Sequence, residues 1–253
     1  MNKALSPSLY YTLIVSLGGF IFGFDASVIS GAIGFIDVEF GLNDWQQGFV
    51  VSSPTLGALI AMLFAGAVSD AIGRRKALII VASLYLISSI CSALAPSYAL
   101  LVLARFIGGV AFCSLIIAPV YISEISAPEN RGKMVSVNQL NIVFGFALSY
   151  FSNYYFLQLS ASELSWVKEL SIDTQTWRYM LGLEAIPALL WLSLLFTVPR
   201  SPRWLMLKGK VDEAERTVKS LFDEHQAKAQ LSDIQSSLEE RSWPLKERLG
   251  FVV

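Results

Sequence analysis

Residues 77–104 read ALIIVASLYLISSICSALAPSYALLVLA, a stretch without a charged side chain that only Pro96-Ser97 interrupts. A helix that crosses a bilayer needs about 20 mostly apolar residues. The stretch therefore completes one such helix near Ala95 and opens another at Tyr98, with a short turn between them. Working outward, residues 48–68 and 134–162 are also uncharged, and 179–198 carry only Glu184. The first apolar segment, about 10–33, contains Asp25 and lacks a small-residue cleavage site after a short apolar core, so it is not a removable signal peptide. The pattern predicts an all-α membrane protein with six spans, near 10–33, 47–68, 77–95, 98–121, 134–158 and 177–198.

Composition agrees. Of the 253 residues, 54% are hydrophobic and 15% are charged, against roughly 25% charged in a typical soluble domain. Mean hydropathy is +0.55. The net charge of −1 leaves no basic footprint for nucleic acid, and two cysteines with one histidine make neither a disulfide framework nor a zinc site. Nucleic acid and metal are thus not expected as partners, no cofactor is implied, and the lipid bilayer is the surrounding medium.

Lys and Arg placement sets the orientation. One face of the membrane receives Lys3, then Arg74, Arg75 and Lys76, then Arg131 and Lys133, and ten more after Pro199. The other face receives Lys168, with Arg178 at the edge of the sixth span. Both termini are expected in the cytoplasm of a cell (inner) membrane. Trp45, Tyr98 and Trp177 fall at the outer boundary, where amphipathic rings favour the interface. Gly18, Gly19, Gly23, Gly108 and Gly109 suit close helix approach. Cys91 and Cys113 read as small hydrophobes inside spans.

After Pro199 the chain becomes polar and helical. Ser201-Pro202 is a capping residue followed by proline at the first helical position, and Gly209 suits a stop. Val211, Ala214, Val218, Leu221 and Phe222 recur on one helical face. Ser232 with Gln235 reads as a capping box for a further short helix. His225 reads as a solvated surface residue. The expected organisation is a bundle over 1–199 and a cytoplasmic helical linker over 200–253, whose final Leu249–Val253 reads as the opening of a missing seventh span.

Charges within spans cost roughly 2.5–3.5 kcal/mol each on insertion scales and usually face a partner or an aqueous cavity. This chain has three: Asp25, Arg105 and Glu184. At about 1.5 Å of rise per residue, all three fall roughly 10–12 Å inside the outer ends of spans one, four and six. One reading is a structural charge cluster that fixes helix packing. The other is a proton site, because one guanidinium offsets only one of two carboxylates. In that reading Asp25 takes the proton, Arg105 is its counter-ion and Glu184 biases the exchange.

Five further motifs occur in order. They are GGFIFGFDASVISGA over 18–32, GAVSDAIGRR over 66–75, PVYISEISAPENRG over 119–132 followed by Asn138-Gln139, WRYM over 177–180 and PRSPRWL over 199–205. With them the chain resembles the amino-terminal half of the sugar porter branch of the major facilitator superfamily, and within it the bacterial xylose–proton symporters. The resemblance implies one half of the major facilitator fold and sugar transport by proton symport of a monosaccharide. It implies proton coupling at Asp25, Arg105 and Glu184, with the proton as coupling ion. It also implies sugar binding by Gln139 and Phe22, and an inner gate of Asp70, Arg74, Arg75, Glu124 and Arg131. Exposed gate pairs of this kind are worth roughly 0–1 kcal/mol each, which suits a contact that must open. Positive-inside anchoring explains Arg74 and Arg75 equally well, an interhelical hydrogen bond explains Gln139, and core packing explains Phe22.

Three departures stand out. Ala71 lies where the family commonly has Arg or Lys, and Arg200 lies where it has Glu. Phe146 takes the place of a second glutamine, so one sugar contact is lost and xylose itself is disfavoured. Family members have two six-span halves with the substrate between them. Two classes of function are therefore expected. In one, the chain is the amino-terminal half or a truncated product of a sugar–proton symporter, completed by a second half or by self-association. In the other it is a non-transporting six-span sensor or interaction protein, or an inactive fragment. An enzyme is not expected, since no nucleophile–base pair, phosphate loop or metal cluster occurs. The orientation is directly testable: a fluorescent protein fused after Val253 should fold and fluoresce, and alkaline phosphatase fused there should be inactive. Active phosphatase would reverse the assignment.

Overall fold

A computed structural model describes residues 6–242, with side chains through 238. Lys3 and the Leu249–Val253 segment lie outside the described residues. Six segments are long and apolar enough to cross a membrane. The first three are single helices, α1 (Pro7–Phe40), α2 (Asp44–Ile72) and α3 (Arg74–Ala93). The fourth is a pair, α4 (Tyr98–Ala111) and α5 (Ser114–Glu124), and the fifth is α6 (Arg131–Ser160) after a 3-10 turn at Pro128–Asn130. The sixth is another pair, α8 (Thr176–Gly182) and α9 (Ala185–Leu195).

The spans follow the hydropathy pattern, and three details differ from it. First, α1 runs seven residues past the expected end, to Phe40, because Gly34 is its only weak helix former there and Gly41 (φ 60°) supplies the stop. Second, the outer loop contains a short helix, α7 (Ser165–Glu169). Third, spans four and six are broken at mid-depth. In span six the break falls at Leu183-Glu184, and Pro187 explains it, since a proline ring clashes with the carbonyl four residues earlier. In span four a tightened turn at Phe112-Cys113 follows the Gly108-Gly109 pair, with i→i+3 bonds such as Phe112 N to Gly109 O at 3.0 Å.

Glycines bring the helices together. A Cβ on Gly23 would strike the Ile142 carbonyl of α6, and one on Gly145 would strike the Phe20 carbonyl of α1. The same reciprocal arrangement joins α2 and α4, where Gly57 faces the Phe106 carbonyl and Gly109 faces that of Pro54. Such backbone-to-backbone approach is how helices associate where lipid removes the hydrophobic drive. In consequence α1 is central, with 72% of its apolar window buried, while α2 and α6 are 33% and 22% buried and present long exposed faces. Cys91 lies on an exposed face and Cys113 is buried.

At the outer boundary Trp45 is exposed, and the Tyr98 hydroxyl donates to the Gln46 carbonyl (3.4 Å). Trp177 is not an interface anchor. It is fully buried, and its Nε1 donates to Glu39 Oε2 (2.6 Å), because the extension of α1 brings Glu39 over it.

The tail forms α10 (Pro202–Leu207), α11 (Val211–Leu221) and α12 (Glu224–Ser242). Ser201 caps α10 by accepting from Trp204 N (3.1 Å), and Gly209 has φ 71°. Ala214, Val218 and Leu221 are buried, Phe222 packs against the bundle core, and Val211 is exposed. The Ser232–Gln235 capping box does not form. The helix starts instead at Asp223, which accepts from Gln226 N (2.8 Å), and it runs through Ser232 since neither Gly nor Pro interrupts 224–242. His225 is exposed in its first turn.

Gly109→Ala should destabilise the bundle by about 1–3 kcal/mol in mixed-micelle unfolding, since its methyl meets backbone at Pro54. Gly34→Ala, with open space around it, should not destabilise. Equal loss in both variants would contradict the packing described.

Candidate functional site

Asp25, Arg105 and Glu184 are all within the bundle, 2%, 2% and 3% exposed. Arg105 Nη1 pairs with Asp25 Oδ1, and Nη2 reaches the Asp25 carbonyl (3.4 Å). The Glu184 carboxyl interacts with the Asp25 carboxyl and with Arg105. The break in span six falls at Glu184 itself, whereas the tightened turn of span four lies two helical turns beyond Arg105. Two oxygens or nitrogens of the cluster have no hydrogen-bond partner, Asp25 Oδ2 and Arg105 Nε. One guanidinium therefore faces two carboxyl groups inside the bundle.

Sequence reasoning passed over the neighbours of this cluster. The hydroxyl of Tyr85, fully buried on α3, lies within electrostatic reach of Asp25 and Glu184 and bonds Ser114 Oγ (3.3 Å). Ser88 Oγ donates to Ala104 O (2.8 Å) and Ser89 Oγ to Leu181 O (2.9 Å), tying α3 to α4 and α8. Their signal in the sequence was a run of hydroxyl residues inside an apolar span, and such residues ordinarily bond their own helix.

Phe22 and Gln139 meet in a groove of about 550 Å³, together with Phe146, Asn138 and Ser136. The Phe22 and Phe146 rings stand edge to face, 6.4 Å apart, forming an apolar wall. Gln139 is exposed two turns from Phe146 on the same face of α6, and an amide there can both donate to and accept from hydroxyls. Behind Phe22, Phe112 lies 4.7 Å away, and the Phe112 ring is 6.2 Å from Tyr85. Phe146, Phe22, Phe112 and Tyr85 thus form a chain of ring contacts that begins at the groove.

At the end of the bundle that carries the tail, the five residues read as a gate divide into three arrangements. Arg74 pairs with Asp70 Oδ1 (2.6 Å) and Glu124 Oε1 (3.0 Å), and Ser201 Oγ donates to Glu124 Oε2 (2.5 Å). Arg75 donates to the carbonyls of Leu195 (3.3 Å) and Phe196 (2.5 Å), capping the end of α9. Arg131 stands apart from both and pairs with Asp233 of α12 (3.1 Å). Its place on α6 faces the tail, not the α2–α3 junction. The Arg74 and Glu124 side chains are 7% and 6% exposed, so this pair is not a weak surface contact. Removing one partner of a buried pair costs about 3–5 kcal/mol. Arg200 pairs with Glu213 of α11 (3.0 Å), which accommodates the reversed charge.

The opposite end of the bundle holds a second, part-exposed arrangement. Arg178 pairs with Glu39 (2.6 Å), lies 4.2 Å from the Trp177 ring centroid, and donates to the carbonyls of Ala93 (3.1 Å) and Ala95 (2.7 Å) at the end of α3. It was missed because Glu39 lies beyond the span end that hydropathy predicts.

Comparison with known proteins places this geometry. A family model described as "Sugar (and other) transporter" matches residues 11–249. The arabinose-proton symporter of Bacillus subtilis is 36% identical over 238 residues, covering 92% of this chain and 50% of the relative. The D-xylose-proton symporter of Escherichia coli is 36% identical over 268 residues, covering 94% of this chain and 53% of the relative. A solved structure of the major facilitator superfamily proton:xylose symporter XylE, bound to 6-bromo-6-deoxy-D-glucose, superposes with TM-score 0.82 at 34% identity. It covers 92% of this chain and 54% of that one. The chain spans about half the length of the curated relatives it matches. These relatives are transporters and not enzymes. The chain is a multi-pass, all-α membrane protein that belongs to the Sugar (and other) transporter family of the major facilitator superfamily.

Proposed function

We propose that this chain forms one six-span half of a carrier for proton-coupled symport of a monosaccharide. The observation that carries the reading is the charge imbalance at mid-depth, where Arg105 is engaged by Asp25 while Glu184 stands beside the same pair. Asp25 holds the coupling proton, Arg105 takes the charge when that proton leaves, and Glu184 biases the exchange. The relatives named as proton symporters of arabinose and xylose support a proton as coupling ion and a sugar as cargo.

Sugar binds in the groove between Gln139 and the Phe22–Phe146 wall. The amide contacts hydroxyls, and the rings cover an apolar C–H face of the sugar. Phe146 offers no hydrogen bond, and a sugar hydroxyl directed at it would be left unpaired, which favours sugars other than xylose. The groove opens beside the exposed faces of α2 and α6. A second six-span half, or a second copy of the chain related by an axis along the membrane normal, would cover these faces and complete the cavity. Asp70, Arg74 and Glu124 brace the cytoplasmic side of the half, and Arg75 and Arg131 fasten it to α9 and to the tail. Both termini lie in the cytoplasm.

In vesicles containing this chain together with a second six-span half, Asp25→Asn should abolish proton-driven accumulation of sugar and leave sugar exchange in place. Uphill accumulation retained by the variant would refute the role of Asp25. Absence of exchange by the unmodified chain, with or without a second half, would favour a non-transporting membrane protein.

A further inference from the structure

Three buried hydroxyls at the far end of α3 depart from the back-bonding that most buried serines of this chain show. Ser83, on the cytoplasmic side of Tyr85, donates to the Ile79 carbonyl of its own helix (2.9 Å), the usual back-bond. Further out on α3, Ser88, Ser89 and Ser92 are 4%, 2% and 2% exposed. Ser88 and Ser89 bond across to α4 and α8, each to the residue region just before a charge of the cluster. Ser92 Oγ is buried with no partner at all. Residues four apart share a helix face, with about 5–6 Å between them, so Ser88 and Ser92 form one column, a spacing that a single water can bridge, while Ser89 is turned to α8.

Both ends of the column are distinctive. At the inner end Asp25 Oδ2 is buried and unpartnered. A Cβ placed on Gly108 would lie 2.5 Å from Ser88 Oγ and 3.5 Å from Asp25 Oδ2, so both oxygens border the one spot that glycine leaves clear. At the outer end, Ala93, the neighbour of Ser92, lines a pocket of about 1160 Å³ together with Gly182, Glu39, Arg178 and Asp173. Asp173 Oδ1 is a further buried oxygen without a partner in that wall. On the groove side, by contrast, Phe22 and Phe112 interpose rings that carry no proton-exchanging atom.

We infer that the serine column Ser92–Ser88 is the route by which protons pass between the outer pocket and Asp25 Oδ2, separate from the route taken by sugar. Each hydroxyl accepts a proton from a water on its outer side as it passes its own inward, so every serine is left unchanged. The O–H bond formed last is on Asp25 Oδ2, and the hydronium that supplied the first proton is left as water. The reverse sequence returns the proton. Arg105, Glu184 and Tyr85 face the inner end and set its field; the serines carry no charge themselves. The inference rests on the proton site proposed above, and the two fail separately.

Infrared spectroscopy of the purified full chain in lipid nanodiscs provides the test, following the protonated-carboxyl band after transfer from H₂O to D₂O. Ser92→Ala and Ser88→Ala should slow the shift of the Asp25-dependent band by roughly tenfold or more, leaving its amplitude and the thermal stability of the chain unchanged. Ser92→Thr should keep the fast rate, and Ser83→Ala should have no effect. Ser92→Ala is the cleaner variant, since it removes no hydrogen bond. Exchange as fast in both alanine variants as in the unmodified chain would overturn the route while leaving the proton site standing. A band absent at every pH in the unmodified chain would remove the proton site and the route together.

Discussion

Burying a carboxylate and a guanidinium at the depth of acyl chains is costly, and the Asp25–Arg105 contact makes it tolerable only because each charge finds the other inside the bundle. Two helices must converge to achieve it. The contact therefore fixes more than a charge: it sets the rotation of α1 and the depth of α4. Glu184 completes the arrangement by adding a second acid where there is no second base. The glycines follow from the same requirement. Gly108 leaves room around Asp25 Oδ2, and Gly109 lets α4 reach α2 closely enough to hold Arg105 at that level.

Around this centre the bundle is braced at both ends by arginines that hold backbone carbonyls. Arg178 gathers the end of α3 and the extended end of α1 at one end, and Arg75 gathers the end of α9 at the end that carries the tail. Arg74, Glu124 and Ser201 then lock the α2–α3 junction to α5 and to the tail.

Much of this was legible in the sequence for a simple reason. A bilayer imposes length and apolarity on every span, so the six spans could be read from hydropathy, and the expense of charge in lipid singled out Asp25, Arg105 and Glu184. Phe22 and Gln139 needed the family resemblance, since an aromatic or an amide inside a span has ordinary packing roles. What escaped was set by tertiary contact. Trp177 has the sequence position of an interface ring, yet Glu39 draws it into the core. Arg131 sits in a gate motif but its helix faces the tail. Ser232 and Gln235 fit a capping pattern, while nothing ahead of them interrupts the helix that runs through. The serine column was invisible because a serine in an apolar span normally satisfies itself, and only coordinates distinguish Ser92 from Ser83.

The central claim is that Asp25 and Glu184 share one counter-ion and exchange one proton. Solid-state NMR of the chain in lipid bilayers, with ¹³C in the Asp and Glu carboxyls and ¹⁵N in the guanidinium of Arg105, addresses it most directly. The account predicts a close carboxyl–guanidinium contact at Asp25 and a single protonation change shared by Asp25 and Glu184 as pH is varied. Two carboxylates that both remain ionised across that range, or a guanidinium with no carboxyl neighbour, would contradict it.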